Sequence, residues 1–407
     1  MGTKDLPDAI APRGSQLSKD GVHLKSDAAL VSPALPAKIL LNDFRRQWSD
    51  TAEPVLDAVR RVGESGWYIL GKEVSGFEAS LAAQIQIQNV VGCASGLDAI
   101  ELALRAANFV AGQRVLTTPL SAFATTLAIV RAGGVPVYVD VDDFGLIDTE
   151  QCRDVLTEDR SIRFFVPVHL YGHALRRSAL LELQREFELT IVEDCAQAIG
   201  AQTEGHFVGS AGEVCAFSFY PTKNLGAMGD AGAVATNNTA IAARCRALRN
   251  YGQTERYQHD LLGMNSRLDE LHAAILSKAF LPRLAEWTQR RQAIAETYRA
   301  GICNPSVLVP GAPEASLSVW HLFPVLVTAT RREDFRHHLT NAAVESAIHY
   351  PTLIPAQAAM NQIPHQVKRP LTRAERYSRS EVSLPIHPYL TQSEVERVIN
   401  AVNSWNP

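Results

Sequence analysis

A run of apolar residues long enough to span a bilayer is missing from the sequence, so no membrane helix is expected. The most apolar N-terminal stretch, residues 28–41, is broken by Pro33, Pro36 and Lys38 and makes a poor signal peptide. Leu6 stands where an N-myristoylation signal needs Ser or Thr. These absences predict a cytoplasmic protein. Charge of one sign is also lacking: 39 Lys and Arg against 43 Asp and Glu leave a formal net charge of −4. That balance supplies no basic face for a nucleic acid partner. Cysteine is sparse, and Cys93, Cys152, Cys195, Cys215, Cys245 and Cys303 include no C-x-x-C pair. Scattered through apolar runs, they are expected to be small buried thiols in a reducing compartment. No internal repeat is visible, and ordinary Gly and Pro usage excludes a fibrous or disordered chain.

What the sequence does have is enough apolar content, 46% over 407 residues, for one large core and a smaller one. Residues 1–37 mix Pro, Ser, Gly and charges without periodicity, and are expected to be a flexible extension with no catalytic duty. A large domain is expected over 38–285 and a smaller C-terminal α+β domain over 286–407. The segments 135–140, 164–169 and 189–193 are apolar at nearly every position, which suits strands buried on both faces. Helical patterns over 122–132 and 177–187 lie between them, and this alternation predicts an α/β fold with a mainly parallel sheet. A long helical run is predicted over 268–300 with a break at Pro282, a strand over 321–327, and a last helix over 393–405 with Thr391 as its N-cap.

Four segments carry possible chemistry. Asp194 follows the strand 189–193, at the end where open α/β sheets bind ligands. A carboxylate leaving a buried strand needs a partner, and a protonated pyridine nitrogen would be one. On this segment alone, an aspartate capping a turn is the plainer reading. Lys223 lies in Phe217-Ser-Phe-Tyr-Pro-Thr-Lys-Asn-Leu-Gly-Ala-Met-Gly-Asp-Ala-Gly232, a run of small and apolar residues in which a lysine tends to lose its charge and attack an aldehyde. Gly226, Gly229 and Gly232 would let the backbone approach a bulky ligand. In Gly92-Cys-Ala-Ser-Gly-Leu97, a small-residue turn opens into an amphipathic helix whose free N–H groups would bind an anion, although many helices start this way. Phe123 opens another helix. It is as well placed to be ordinary core as to stack on a planar cofactor.

From about residue 40 onward the chain resembles the DegT/StrS-type sugar aminotransferases, which are fold-type I pyridoxal-phosphate enzymes. The resemblance rests on Gly66-Trp-Tyr-Ile-Leu-Gly71, Val166-Pro-Val-His-Leu-Tyr-Gly172, Glu193-Asp-Cys-Ala-Gln197, Phe219-Tyr-Pro-Thr-Lys-Asn-Leu225, Gly263-Met-Asn-Ser-Arg-Leu-Asp-Glu-Leu271 and Ser383-Leu-Pro-Ile-His-Pro388, in that order. It implies a mainly parallel sheet of the seven-stranded type. It also implies transamination of a nucleotide-linked keto sugar, with glutamate as amino donor. By the same resemblance, Lys223 would form the Schiff base with pyridoxal phosphate and Asp194 would pair with the pyridine nitrogen. Gln197 would hydrogen-bond the ring hydroxyl, Ser218 and the N–H groups of Gly96 and Leu97 would hold the phosphate, and Phe123 would stack on the ring. Asn265 would reach the phosphate of a neighbouring subunit's cofactor, which implies a homodimer with shared active sites, and Arg267 would order the same loop. No metal is implied.

The chain departs from the family at two points. Leu97 stands where many members have Thr, which removes one side-chain contact to the phosphate, and Pro355 stands where members often have a His near the sugar. The Gly-Leu-Asp form together with the Lys223 segment looks most like members that aminate a 3-keto-deoxyhexose. A 4-keto sugar or keto-cyclitol aminotransferase is the alternative. A sugar dehydratase of the same fold carries His in place of Lys223, a cysteine desulfurase needs a mobile loop Cys, and a non-catalytic regulatory relative has no use for the full Lys, Asp, Gln and Ser set.

Overall fold

The computed structural model of the chain describes residues 37–314 and 316–407. The extension expected over residues 1–37 lies outside them but for Ala37. Its centre is a sheet of eight strands: β1 (Asn89–Cys93), β2 (Arg114–Thr117), β3 (Val135–Tyr138), β4 (Phe164–Val166), β5 (Thr190–Asp194), β6 (Val214–Ser218), β7 (Gly232–Thr236) and β8 (Gln366–Val367). They lie in the order β1-β7-β6-β5-β4-β2-β3-β8. All neighbours are parallel except β7, which runs antiparallel to β1 and β6. The mainly parallel α/β sheet is therefore present, with one strand more than the seven-stranded type. The extra strand, β8, is two residues of the C-terminal third laid against β3, too short to show a period in sequence.

Successive residues of each strand point to opposite faces. Val90, Cys215, Phe217 and Ala233 pack on one side with helices α1 (Phe44–Ser65) and α2 (Lys72–Ile85). Val91, Val192, Ala216 and Val234 pack on the other with α3 (Gly96–Ala106) and α4 (Phe123–Arg131). With both faces covered, the strands have no polar side to show, which explains their unbroken apolar runs. Helix α5 spans Arg177–Phe187, as expected. A separate antiparallel pair, Phe323–Leu326 with Glu381–Leu384, carries the strand expected over 321–327.

The run expected over 268–300 is not one helix. It comprises α6 (Glu270–Ile275), a wide π turn over Leu276–Phe280, a tight 3₁₀ turn over Leu281–Arg283 and α7 (Leu284–Gly301). Pro282 offers no N–H to the carbonyl four residues back, and its ring crowds that carbonyl, so the ladder opens just before it. The final helix, α8 (Gln392–Ser404), starts from a capping box in which Thr391 and Glu394 satisfy each other's backbone N–H. Among the described residues, no helix is long and apolar enough to cross a membrane.

One helix start is capped from far away in sequence. Gly71 has no side chain with which to cap α2, and Glu270 of α6 takes over. Its carboxylate accepts from the N–H groups of Gly71 (2.8 Å), Glu73 (2.8 Å) and Val74 (2.9 Å). A negative charge on free N–H groups at a helix N-terminus is the favourable arrangement. It also dictates the glycine, because a Cβ at Gly71 would lie 2.6 Å from Glu270 Oε2 and 2.5 Å from the Trp67 ring.

Five of the six cysteines are buried as expected, but Cys303 is exposed. It stands in the turn that follows α7, where its N–H donates to Asn403 Oδ1 (2.9 Å). The apolar residues before it belong to the buried face of α7, not to its own surroundings.

Candidate active site

The register of the sheet brings three strand ends to one edge. Asp194 of β5 lies opposite Ala216 of β6, while Ser218 of β6 and Cys93 of β1 both lie opposite Gly232 of β7. Helix α3 starts immediately beyond Cys93. Two glycines let it approach this closely. A Cβ on Gly96 would lie 2.5 Å from the Ser218 Cβ, and one on Gly232 would lie 2.4 Å from the Ser95 carbonyl carbon. Ser95 caps the helix by accepting from the Asp98 N–H (3.1 Å), which leaves the first-turn N–H groups of Gly96 and Leu97 unspent. Ser266 fixes the other side of that turn: its hydroxyl donates to Asp98 (2.8 Å) and accepts from the Ala94 N–H (3.1 Å).

A cleft of about 290 Å³ opens at this edge, and Gly96, Leu97, Asp194, Gln197, Ser218 and Lys223 all line it. Six of the eight residues expected at the site are thus gathered in one cavity. The other two lie elsewhere. Phe123 packs against Tyr138, Ile354 and Met360 and is not part of the cleft wall, although its neighbours Ala122 and Ala124 are. Asn265 is exposed, and among the described residues its side chain has no hydrogen-bond partner. Asn265 is not the cap of α6. That role falls to Asp269, whose carboxylate accepts from the His272 N–H (2.7 Å). Arg267 donates to the Asn250 side chain (2.9 Å) and stacks on Tyr251, which ties down the segment that carries Asn265.

The electrostatics of the cleft centre on a buried pair. Burial pushes the Asp194 carboxyl up, opposed by the Ala196 N–H (3.0 Å), the Thr125 hydroxyl (2.8 Å) and the Lys223 charge. Burial pulls Lys223 down to about 8, opposed by Asp194. Lys223 is therefore an amine that loses its proton close to neutral pH, the condition for attack on an aldehyde. Gln197 is held at both ends: its Oε1 accepts from the Tyr171 N–H (2.8 Å) and its Nε2 donates to the Tyr350 hydroxyl (3.0 Å). Behind Asp194, Glu193 points the other way. It accepts from His169 and from the N–H groups of Gly209, Ala211 and Gly212, which braces the strand that delivers Asp194.

Sequence reasoning missed two histidines of this region. His321 is depressed well below its ordinary value and His349 to about 4, in each case by burial first and then by the Lys223 charge. His321 lies 3.2 Å from the side-chain oxygen of Asn224, the residue after Lys223. Isolated histidines in apolar surroundings carry no spacing signal. Only the position of His349 beside Tyr350, a few residues before Pro355, would have drawn attention to it.

The cleft fits pyridoxal phosphate on its own chemistry. It offers a helix N-terminus with free N–H groups beside a hydroxyl for a phosphate, a buried carboxylate for a ring nitrogen, and a poorly charged lysine for an aldehyde. Comparison with known proteins agrees. The family described as DegT/DnrJ/EryC1/StrS aminotransferases matches residues 49–403. A dTDP-3-amino-3,4,6-trideoxy-alpha-D-glucose transaminase from Streptomyces venezuelae is 41% identical over 368 residues, which are 89% of this chain and 95% of that protein. The erythromycin biosynthesis sensory transduction protein EryC1 of Saccharopolyspora erythraea is 39% identical over 88% of this chain and 96% of its own length. Among solved structures, S. venezuelae DesV in complex with a ketimine intermediate is 39% identical and superimposes with a TM-score of 0.86, covering 91% of this chain and 98% of that one. NtdA from Bacillus subtilis with bound cofactor PMP is 27% identical with a TM-score of 0.82, covering 90% of this chain and 84% of its own. The protein is a pyridoxal-phosphate-dependent enzyme and belongs to the DegT/DnrJ/EryC1/StrS aminotransferase family.

Proposed function

We propose that this enzyme transfers an amino group from glutamate to carbon 3 of a nucleotide-linked keto-deoxyhexose. The observation that carries this reading is the meeting of Lys223 and Asp194 in one cleft beneath the N-terminus of α3. The 3-amino sugar named for the 41% identical relative supports the position of attack. When bound, pyridoxal phosphate supplies an aldehyde that receives the amino group and a ring that withdraws electrons. Ser218 and the N–H groups of Gly96 and Leu97 hold its phosphate, and Leu97 adds no hydroxyl there. Asp194 would keep the ring nitrogen protonated and Gln197 would bond the ring hydroxyl, while Phe123, packed with Tyr138, Ile354 and Met360, would stack on the ring only from a position other than the one it holds here. Lys223 would move a proton from the donor's α-carbon to the cofactor's aldehyde carbon within the first half-reaction, and in the second would move one from that carbon to the sugar carbon that receives the nitrogen. Although EryC1 is named for sensory transduction, a chain serving only as a regulator would not need this set assembled.

The test is a panel of nucleotide-linked 3-amino and 4-amino sugars offered to the purified enzyme with 2-oxoglutarate. Glutamate is expected from the 3-amino sugars alone. Glutamate from the 4-amino sugars alone would move the reaction to carbon 4.

The site is completed by a second copy of the chain, with Asn265 reaching the phosphate in the neighbour's cleft. Its exposure, and the lack of a side-chain partner among the described residues, support this. Mixing a Lys223→Ala chain with an Asn265→Ala chain checks it. If each site draws Lys223 from one subunit and Asn265 from the other, one of the two sites in a mixed dimer has both residues. Activity then rises above that of either mutant alone. With subunit exchange demonstrated and Asn265→Ala impaired on its own, no recovery would mean that the sites are not shared.

A further inference from the structure

Glu381 is wholly buried on the strand 381–384, and among the described residues no cation pairs with it. The Arg332 and Arg336 charges reach it only as a weak field, and the phenols of Tyr171, Tyr350 and Tyr377 surround it without donating to it. Its two oxygens have different partners. Oε2 accepts from the His349 N–H (2.6 Å), and Oε1 accepts from the Ser383 hydroxyl. That hydroxyl is also 2.9 Å from His349 Nδ1. The Tyr171 hydroxyl holds the backbone carbonyl of His349 (2.7 Å). His349 Nε2 has no partner among the described residues and is not sealed from solvent. His349 is not among the residues that line the cleft, but the next residue, Tyr350, accepts from Gln197 Nε2 in the cleft wall (3.0 Å), and burial, then the Lys223 charge, lowers the pKa of the imidazole.

We propose that Glu381, Ser383 and His349 form a proton relay, in which Glu381 and Ser383 act as positioning residues that set which nitrogen of His349 carries the hydrogen and so whether Nε2 offers a proton to the cleft or accepts one. A neutral imidazole has one donor and one acceptor nitrogen, and the bond made by one decides the state of the other. With Glu381 protonated, its O–H donates to Ser383 Oγ, the Ser383 hydroxyl donates to Nδ1, and the hydrogen of His349 sits on Nε2. When an acceptor in the cleft takes that hydrogen, the Ser383 proton moves to Nδ1 and the Glu381 proton moves to Ser383 Oγ. Glu381 is left as the carboxylate, Ser383 is restored, and His349 is neutral with a free lone pair on Nε2. One proton has left the carboxyl and one has reached the cleft. Keto-sugar amination requires loss of the carbonyl oxygen as water, which consumes a proton at that oxygen, and this relay would supply it. Its use in the reaction rests on the proposed function, but the relay itself does not.

Burial raises Glu381 to about 8 despite its donors, so the hydrogen is held at neutral pH. The folded chain then binds a proton that the unfolded chain has already released. The resulting stability is full below the ordinary carboxylate range and is lost as pH rises toward 8.

The test is the nitrogen chemical shifts of ¹⁵N-histidine in the holoenzyme without sugar, followed from pH 6 to 9 and assigned with His349→Gln. His349 should carry its hydrogen on Nε2 at low pH and on Nδ1 at high pH, with the change centred near pH 8. Ser383→Ala should leave one tautomer throughout, and its kcat should lose the ionisation near pH 8 while KM holds. Glu381→Gln should flatten the fall in unfolding stability toward pH 8. A single tautomer across the range in the unmodified enzyme, or a change that survives in Ser383→Ala, would overturn the relay. A failed sugar assay would leave the NMR result untouched.

Discussion

Lys223→Ala is expected to leave a folded protein that transfers no amino groups at a measurable rate, a drop of at least about a thousandfold. Folding survives because the amine makes no hydrogen bond that the packing needs. The neighbouring structure is held instead by Asn224, which donates to the Val319 carbonyl (2.9 Å), and by the backbone turn from Lys223 N to Tyr220 O. Removing the ammonium removes its own desolvation cost but leaves the buried Asp194 carboxyl without that cation, so stability should hold or fall slightly. The loss of rate is large because one nitrogen has two duties, nucleophile toward the cofactor aldehyde and carrier of the proton. Among the described residues no other lysine lines the cleft to replace it. The purified protein should be yellow, and borohydride followed by peptide mapping should place the cofactor on Lys223. Label on any other lysine, or none, contradicts the assignment.

Asp194→Asn is the second large effect: a fall of about 10²–10⁴-fold in kcat with near-normal folding. The geometry shows why the chain tolerates the amide. Oδ1 accepts from the Ala196 N–H, which the amide oxygen still satisfies. Oδ2 accepts from the Thr125 hydroxyl, which lies 2.9 Å from Ser121 Oγ and can turn to donate there while accepting from the new NH₂ group. What is lost is the negative charge that holds a ring nitrogen protonated. The amide also removes the partner that supports the Lys223 charge, so Lys223 should titrate lower still, seen as a downward shift in the pH dependence of the cofactor absorbance. Near-normal turnover would mean that a different carboxylate serves the ring.

The parts of this structure that were legible in sequence are those built from neighbours along the chain. Strands β3, β4 and β5 announce themselves by unbroken apolar runs, helix α5 by its period, Thr391 by its capping pattern, and Lys223 and Asp194 by their motifs. What was illegible depends on distant partners or on very short elements. The two residues of β8 have no period. The Glu270 cap joins residues 199 apart. Pro282 foretold a break, but not that a π turn would absorb it. His349 and Glu381 are separated by 32 positions, and neither resembles a site until the pairing of 323–326 with 381–384 is known. In sequence Gly96 suggests a turn and Gly232 room for a ligand, yet their nearest constraint is helix α3 against the strand ends.

The segment 67–70 lies between two pinned glycines. Gly66 closes α1 in the left-handed region, at φ 63°, and Gly71 is clamped by Glu270. Between them the Tyr68 carbonyl accepts from the Glu270 N–H (2.9 Å), and the Trp67 indole donates to the Ile69 carbonyl (2.8 Å). Yet Trp67, Tyr68 and Ile69 stand 62%, 59% and 44% exposed. Folding has already removed the backbone freedom of this segment without hiding its apolar surface. A body that docks there meets a template frozen in advance, and the ordering entropy that usually opposes association has been spent within the single chain.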